Sequence, residues 1–336
     1  MSIPAATATK KRAFSGIQPT GRVHLGNYLG AIRNWIRLQD EYECTFCIVD
    51  YHAITVEYDP KEMQTRIFDL AVALLACGVD PEKCTLFVQS DVPEHLELAW
   101  YLASLAPVSR LELQTQYKDK SQQHAENINC GLLTYPVLQA ADVLIHRAQG
   151  VPVGEDQAQH LELCRELARR FNNRFGRTFD EPETWLAEAP RVMGLDGRSK
   201  MSKSKGNTLD LLDEPDVLWN KLRGAVTDEQ RLRRADPGRP EVCNIYAWHR
   251  LLSTPERVAQ VERDCRTAAI GCVDCKKLIL ESLRAELDPI RERAKALYAS
   301  PEVVRRALDD GGRKARAAAL QTMSIVRERM GLVRGA

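Results

Sequence analysis

Three short apolar runs, Thr45–Val49, Thr85–Gln89 and Val151–Val153, are separated by stretches whose apolar residues recur at helical spacing. This alternation constrains the fold more than any other feature of the chain. Leu25, Leu29, Ile32 and Ile36 mark one helix; Leu161, Cys164, Ala168, Phe171 and Phe175 mark another. Strands that alternate with amphipathic helices predict a parallel sheet with crossover helices, an α/β domain of Rossmann-like type over residues 13–193. Chemistry in such sheets gathers where strands end and helices begin. Ile17–Gly21, Asp50–His52 and Gly154–Gln157 all fall at such ends.

The pattern changes after Pro190. A Gly-rich, charged loop over 194–207 leads into segments with helical spacing only, among them Ile279, Leu283, Leu287 and Ile290, then Ala319, Met323, Val326 and Met330. These predict an all-α second domain over 208–336, with a surface turn at Asp236-Pro237-Gly238-Arg239-Pro240. Residues 1–12 are Ala/Thr-rich, end in Lys10-Lys11-Arg12 and lack an apolar segment, which reads as a flexible leader and not a secretory signal.

At 336 residues and 44% apolar the chain can bury a large core, so disorder is excluded. No run approaches the roughly 18 apolar residues of a membrane span. The net charge of +1 hides an asymmetry: residues 1–190 carry 18 Lys/Arg against 25 Asp/Glu (net −7), and residues 191–336 carry 29 against 21 (net +8). The basic half is where a polyanion is expected to dock. Ten cysteines without a secretory signal imply reduced thiols and a cytoplasmic protein. Cys44 and Cys47 have redox-like spacing but lie in a strand, which argues against that chemistry.

Two distant segments carry the chemistry. His24-Leu25-Gly26-Asn27 opens a helix, whose free N–H groups and partial positive charge suit phosphate. Lys200-Met201-Ser202-Lys203-Ser204 offers two lysines around small hydroxyl residues. Singly each reads as a turn or a solvated loop. Together, on an α/β background, they predict a site that grips ATP and stabilises departing pyrophosphate.

These residues resemble the class I aminoacyl-tRNA synthetases, and within that class the tryptophanyl branch. The resemblance runs from Phe14 almost to the C-terminus. It is carried by residues 14–21 (FSGIQPTG), His24 to Asn27, residues 134–142 (TYPVLQAAD), residues 153–157 (VGEDQ) and Lys200 to Ser204. Asn27 stands where many class I enzymes have a second His. The resemblance implies a tryptophan–tRNA ligase that forms tryptophanyl-adenylate from ATP and then charges tRNA, and it implies a homodimer.

Carried over residue by residue, the resemblance assigns catalysis to Gln18, His24, Asn27, Lys118, Lys200 and Lys203. ATP would also meet Pro19, Thr20, Gly26, Gly154, Glu155, Asp156, Val192, Met201, Ser202 and Ser204, with Mg²⁺ held by phosphates and water. Lys118 also reads as an exposed helix lysine. For tryptophan, Asp142 would accept the indole N–H, which can only donate. Tyr135 and Gln157 would fix the ammonium, and Phe14, His52, Gln139, Val151 and Val153 would line the ring slot.

Cys243, Cys265, Cys272 and Cys275 form C-x21-C-x6-C-x2-C within the basic half. Four thiolates suit an iron–sulfur cluster or zinc. The array resembles that of the tryptophanyl subset holding a four-iron cluster, which implies a 4Fe-4S centre beside the anticodon, with Zn²⁺ as the alternative. Two rivals share the architecture: the tyrosyl enzyme, and an iron–sulfur nucleic-acid-binding paralogue without activity.

Overall fold

The computed structural model describes residues 10–115, 117, 128–154, 157–186 and 192–333. Five strands, β1 (Arg12–Ile17), β2 (Glu43–Ile48), β3 (Cys84–Val88), β4 (Gly150–Val153) and β5 (Glu183–Leu186), form one parallel sheet in the order β3-β2-β1-β4-β5. The expected α/β class holds, and the three expected strands fall within two residues of those observed. Of β1 only the end near Ile17 was anticipated, and β5 not at all. Arg12, Ser15 and Gly16 interrupt the apolar run of β1, and β5 is four residues long with a polar start.

The chain runs outward from β1 to β2 and β3 on one side, then returns to lay β4 on the other flank of β1. This reversal makes the C-terminal ends of β1 and β4 the switch point of the sheet, where neighbouring connections diverge and leave a crevice. At the other end of β4, Gly150 lets Trp185 of β5 pack against the strand, because a Cβ there would overlap the indole.

The helices follow in order. α1 (Leu25–Asn27) passes through a π-helical turn, Tyr28–Ile32, into α2 (Arg33–Glu41). α3 is Asp50–Ala53 and α4 is Pro60–Cys77. The latter starts on the Asp59 cap with Pro60 in its first turn and stops at Gly78, whose φ of +113° is left-handed. Next come α5 (Glu94–Ala103), α6 (Val108–Glu112), α7 (Cys130–Ile145) and α8 (Ala158–Phe175). The C-terminal half contributes α9 (Pro215–Gly224), α10 (Asn244–Leu252), α11 (Pro255–Arg266), α12 (Cys272–Ala299) and α13 (Pro301–Arg329).

Both sheet faces are buried, as a parallel sheet requires. On one face Trp35 stacks on Phe46 at 4.4 Å within a core that runs on to Trp248, Ile279 and Leu283. The other holds Phe87, Val137, Ala141 and Phe171. The helical half contains no strands among the described residues, but packing crosses the boundary expected at residue 208. α13 returns to the sheet: Ala315, Ala319, Met323 and Val326 join the second core, and Gly311 lies so close to the Leu86 backbone that a Cβ would overlap its carbonyl. β3 is an edge strand, so this helix covers an otherwise unpaired ladder.

Candidate active site

A cavity of ≈ 330 Å³ opens at the switch point. Gly16 and Gln18 reach it from the end of β1, Val151 and Val153 from β4, His52 from α3, and Tyr135, Gln139 and Asp142 from one face of α7. Phe14 and Gln157 complete the set, so all eight side chains expected around an aromatic amino acid line a single space. Asn27 and Gly154, expected near the nucleotide, line it too. α7 is well placed for this: the Asn129 side chain accepts from the Leu132 N–H at 2.9 Å to start it, and Tyr135, Gln139 and Asp142 are spaced by four and three residues. The stretch containing Lys118, and both Glu155 and Asp156, lie outside the described residues.

Asp142 is the electrostatic centre of the pocket. Its side chain is 2% exposed, and three donors converge on it: Gln89 Nε2 on Oδ1 at 2.7 Å, His95 Nδ1 on Oδ1 at 2.6 Å and His52 Nε2 on Oδ2 at 2.9 Å. Burial opposes ionisation, but the donated bonds of His52 and His95 outweigh it and hold the carboxyl down to about 2. Behind His95 stands His146, Nε2 to Nε2 at 3.1 Å, which burial keeps neutral by lowering its pKa well below the ordinary value. A second small network joins Tyr135 Oη to His160 Nε2 at 3.2 Å and His160 Nδ1 to Gln157 Oε1 at 3.0 Å. Sequence reasoning missed Gln89, His95, His146 and His160. Only Gln89 carried a signal, since it directly follows β3 at the sheet's chemically active end.

The side expected to meet phosphate is assembled by reciprocal bonds. His24 Nδ1 accepts from the Asn27 N–H, and Asn27 Oδ1 accepts from the His24 N–H, both at 3.2 Å. The ring is held down to about 4 by burial, then by Lys203, against the opposing pull of Asp210. It is therefore neutral at pH 7, and with Nδ1 accepting, Nε2 carries the proton and donates. Leu25 N–H donates to the Leu209 carbonyl at 2.8 Å and Leu211 N–H to Val23 at 3.0 Å, which docks the chain after the lysine loop alongside the helix start. A Cβ on Gly26 would come within 3.3 Å of Met201 Cβ, so the two expected segments are in contact.

Within the loop, Lys203 Nζ donates to the Gly21 carbonyl at 2.9 Å. Burial lowers this lysine to about 8, with Asp210 opposing and Arg66 assisting. Lys200 is exposed. Asn207, absent from the sequence reading, pins the loop: its Oδ1 accepts from Ser202 N–H at 2.8 Å and its Nδ2 donates to Asp196 at 3.0 Å. Val192 and Met201 are buried, and the Val192 carbonyl is taken by the Met201 N–H at 2.9 Å. Val192 therefore supports the loop and its side chain does not line the cavity. Pro19 and Thr20 form the turn above β1, closed by the Thr20 N–H on the Gln18 carbonyl at 2.9 Å. Ser202 and Ser204 share a hydroxyl contact at 3.0 Å.

The four C-terminal cysteines converge without forming a closed ligand shell. Arg231 Nη1 stands 3.9 Å from the sulfurs of both Cys265 and Cys272, and Cys275 is electrostatically coupled to all three others. Burial raises Cys243 and Cys265 and pushes Cys275 up to about 12. Among the described residues, no three His, Cys, Asp or Glu side chains are grouped closely enough to hold a metal ion. Cys44 and Cys47 are buried in β2 and their thiols are raised, Cys44 to about 12, in keeping with inert core residues.

Residues 7–288 match the family of class I tRNA synthetases for tryptophan and tyrosine. A tryptophan–tRNA ligase of Deinococcus radiodurans is 51% identical, over 96% of this chain and 99% of its own length. One from Thermotoga maritima is 45% identical over the same shares. Among solved structures, the tryptophanyl-tRNA synthetase of Campylobacter jejuni, complexed with ADP and tryptophan, superposes with a TM-score of 0.87 at 35% identity, covering 96% of this chain and all of that one. No described helix is long and apolar enough to cross a membrane. By sequence and by architecture, this chain belongs to the class I tRNA synthetases, in their tryptophanyl-tRNA synthetase family.

Proposed function

We propose that the chain activates L-tryptophan with ATP and transfers it to the 3′ end of its tRNA. The observation that carries this reading is the acceptor count at Asp142. A carboxylate offers about four acceptor directions. Two on Oδ1 and one on Oδ2 are occupied, which leaves one on Oδ2, and Asp142 faces the cavity. An indole N–H is a donor with no acceptor capacity, and it matches that vacancy. A plain phenyl ring leaves it unmet, and an unmet buried acceptor discriminates by about 10⁴ or more; a phenol O–H also donates, so the shape of the slot has to separate that ring.

In this mechanism the tryptophan carboxylate attacks the α-phosphorus of ATP and the bond to the β-phosphate oxygen breaks. Tyr135 and Gln157 hold the ammonium, while Gln18 and Asn27 orient the reacting centre. Lys203 and Lys200 take up negative charge on the leaving pyrophosphate, with the hydroxyls of Ser202 and Ser204 and the Nε2–H of His24 as lighter donors. Catalysis is positioning plus charge stabilisation. Mg²⁺ would be held by phosphates and water. The terminal ribose hydroxyl of the tRNA then attacks the acyl carbon and AMP leaves. Lys118, Glu155 and Asp156 belong to the same proposal by resemblance alone. Tryptophan-dependent pyrophosphate exchange tests it: Asp142→Asn should raise the tryptophan KM by about 100-fold or more with little change for ATP. Exchange near wild-type level in that variant overturns the assignment.

The basic region 191–336 is proposed as the tRNA-docking half, and the cysteines as a structural 4Fe-4S centre within it, zinc being the alternative. What supports the centre is the chemistry of four thiols that influence one another, with Arg231 Nη1 at 3.9 Å from two of their sulfurs and its buried Nε without a partner among the described residues. Such a centre would tie α10, α11 and α12 together. Iron and sulfide in anaerobically purified protein, lost in Cys272→Ser, test it; one zinc per chain replaces iron in the reading. A homodimer is also proposed, supported by Leu96 and Trp100, 44% and 76% exposed on one face of α5.

A further inference from the structure

The Asp142 network extends one layer deeper than the cavity. His95 is 0% exposed and does not line the pocket, yet its 2.6 Å contact with Asp142 is the shortest made by that carboxylate. The ring is fixed from behind: His146 Nε2 faces its Nε2, and Phe87 packs against both imidazoles with centroids 5.8 and 5.4 Å away.

The direction of the proton at His95 follows from its neighbours. Asp142 is ionised and can only accept, so His95 Nδ1 donates to it. His146 is neutral, so between the two facing Nε2 atoms either His146 donates to His95 or His95 donates to His146. Both arrangements leave Nδ1–H on His95 pointing at Asp142. Gln89 Nε2 shares the same oxygen. Together these two donors fill both directions of Oδ1. The vacancy on the carboxylate is thereby confined to Oδ2, beside His52.

We propose that His95 is a positioning residue for amino-acid selection. It holds the Asp142 carboxylate at one rotation, so that a single acceptor direction faces the ring slot, and it thereby sets the preference for an N–H at that place in the substrate ring. The proposal rests on the reading that Asp142 accepts the indole N–H.

The test compares L-tryptophan with β-(3-benzothienyl)alanine, in which sulfur replaces the indole N–H, by pyrophosphate exchange with tryptophan and ATP varied separately. His95→Phe keeps the volume and removes the donor. The tryptophan KM should then rise about tenfold or more, the ATP KM should change little, and the preference for tryptophan over the thia-analogue should shrink by a similar factor. Asn sets an amide donor near the Nδ1 position, so His95→Asn should recover most of both losses. An undiminished preference in His95→Phe overturns the proposal and leaves the Asp142 reading standing. No preference in the wild-type protein overturns the Asp142 reading itself. Should His95→Phe fail to fold, His95→Asn against His95→Gln decides, because Gln carries its amide further out, near the Nε2 position. A lower tryptophan KM in the Asn variant supports donation to Asp142, and equal values refute it.

Discussion

Lys203 donates to the Gly21 carbonyl at 2.9 Å across 182 residues of sequence. The bond joins the loop bearing one of the proposed phosphate-binding segments to the turn that precedes the other. Half-buried and bonded to a backbone carbonyl, Lys203 makes no ion pair among the described residues, and burial lowers its pKa to about 8 although Asp210 opposes the shift. A bound polyphosphate would supply the missing charge.

That pKa predicts a pH limb. Lys203 is charged below about 8 and loses its charge above, so kcat/KM for ATP should fall as pH rises through that region. Arg stays protonated, so Lys203→Arg should flatten the fall, while Lys203→Ala should lose about 10²–10³ in kcat with little change in tryptophan KM. Pyrophosphate exchange between pH 6.5 and about 9.5 checks both.

Asp142 predicts acid behaviour. Its folded pKa of about 2 lies below the unfolded value near 3.9, so the stabilisation is complete above about pH 4 and is lost as pH falls through 2. The stability gap between wild type and Asp142→Asn, read by denaturant unfolding, should narrow over that window. A gap that is constant from pH 6 to about 2.5 would mean the carboxylate charge adds nothing to the fold.

Gly311 predicts a packing cost. An added methyl would meet the Leu86 carbonyl, which is backbone and cannot swing aside. Gly311→Ala should cost about 1–3 kcal/mol in urea unfolding even though alanine is the better helix former. A stabilised variant would show that α13 does not rest on β3.

Trp100 predicts assembly. At 76% exposure on α5, one helical turn from Leu96, it presents apolar surface to water. Trp100→Glu should shift sedimentation from dimer toward monomer, and a wild-type protein that sediments as a monomer removes the proposal of a dimer.

Much of the candidate site was named through the family resemblance, which could be carried over because its members sit in short segments with local signatures. Gln18 follows a strand, His24 and Asn27 open a helix, and Tyr135, Gln139 and Asp142 repeat along one helical face. His95, His146 and His160 were not legible, because nothing in their neighbourhoods departs from an ordinary amphipathic helix; only the packing of α5 and α8 on α7 gives them partners. The extent of β1, beyond its end at Ile17, escaped for a related reason. Its central position supplies the burial that its residues do not advertise. The helical spacing of Ala319, Met323 and Val326 was read correctly as a helix, but periodicity says which face is buried and not what buries it. The partner turned out to be the sheet, more than 200 residues earlier in the chain.

The return of α13 to β3 also orders events during synthesis. When residues up to about 300 have left the ribosome, all five strands exist, yet β3 still offers a row of free backbone groups to any other extended chain. Helix α13, Pro301–Arg329, closes that edge. Until α13 has been made the β3 edge stays open to other extended chains, and truncations within α13 should fail by insolubility before they reduce pyrophosphate exchange.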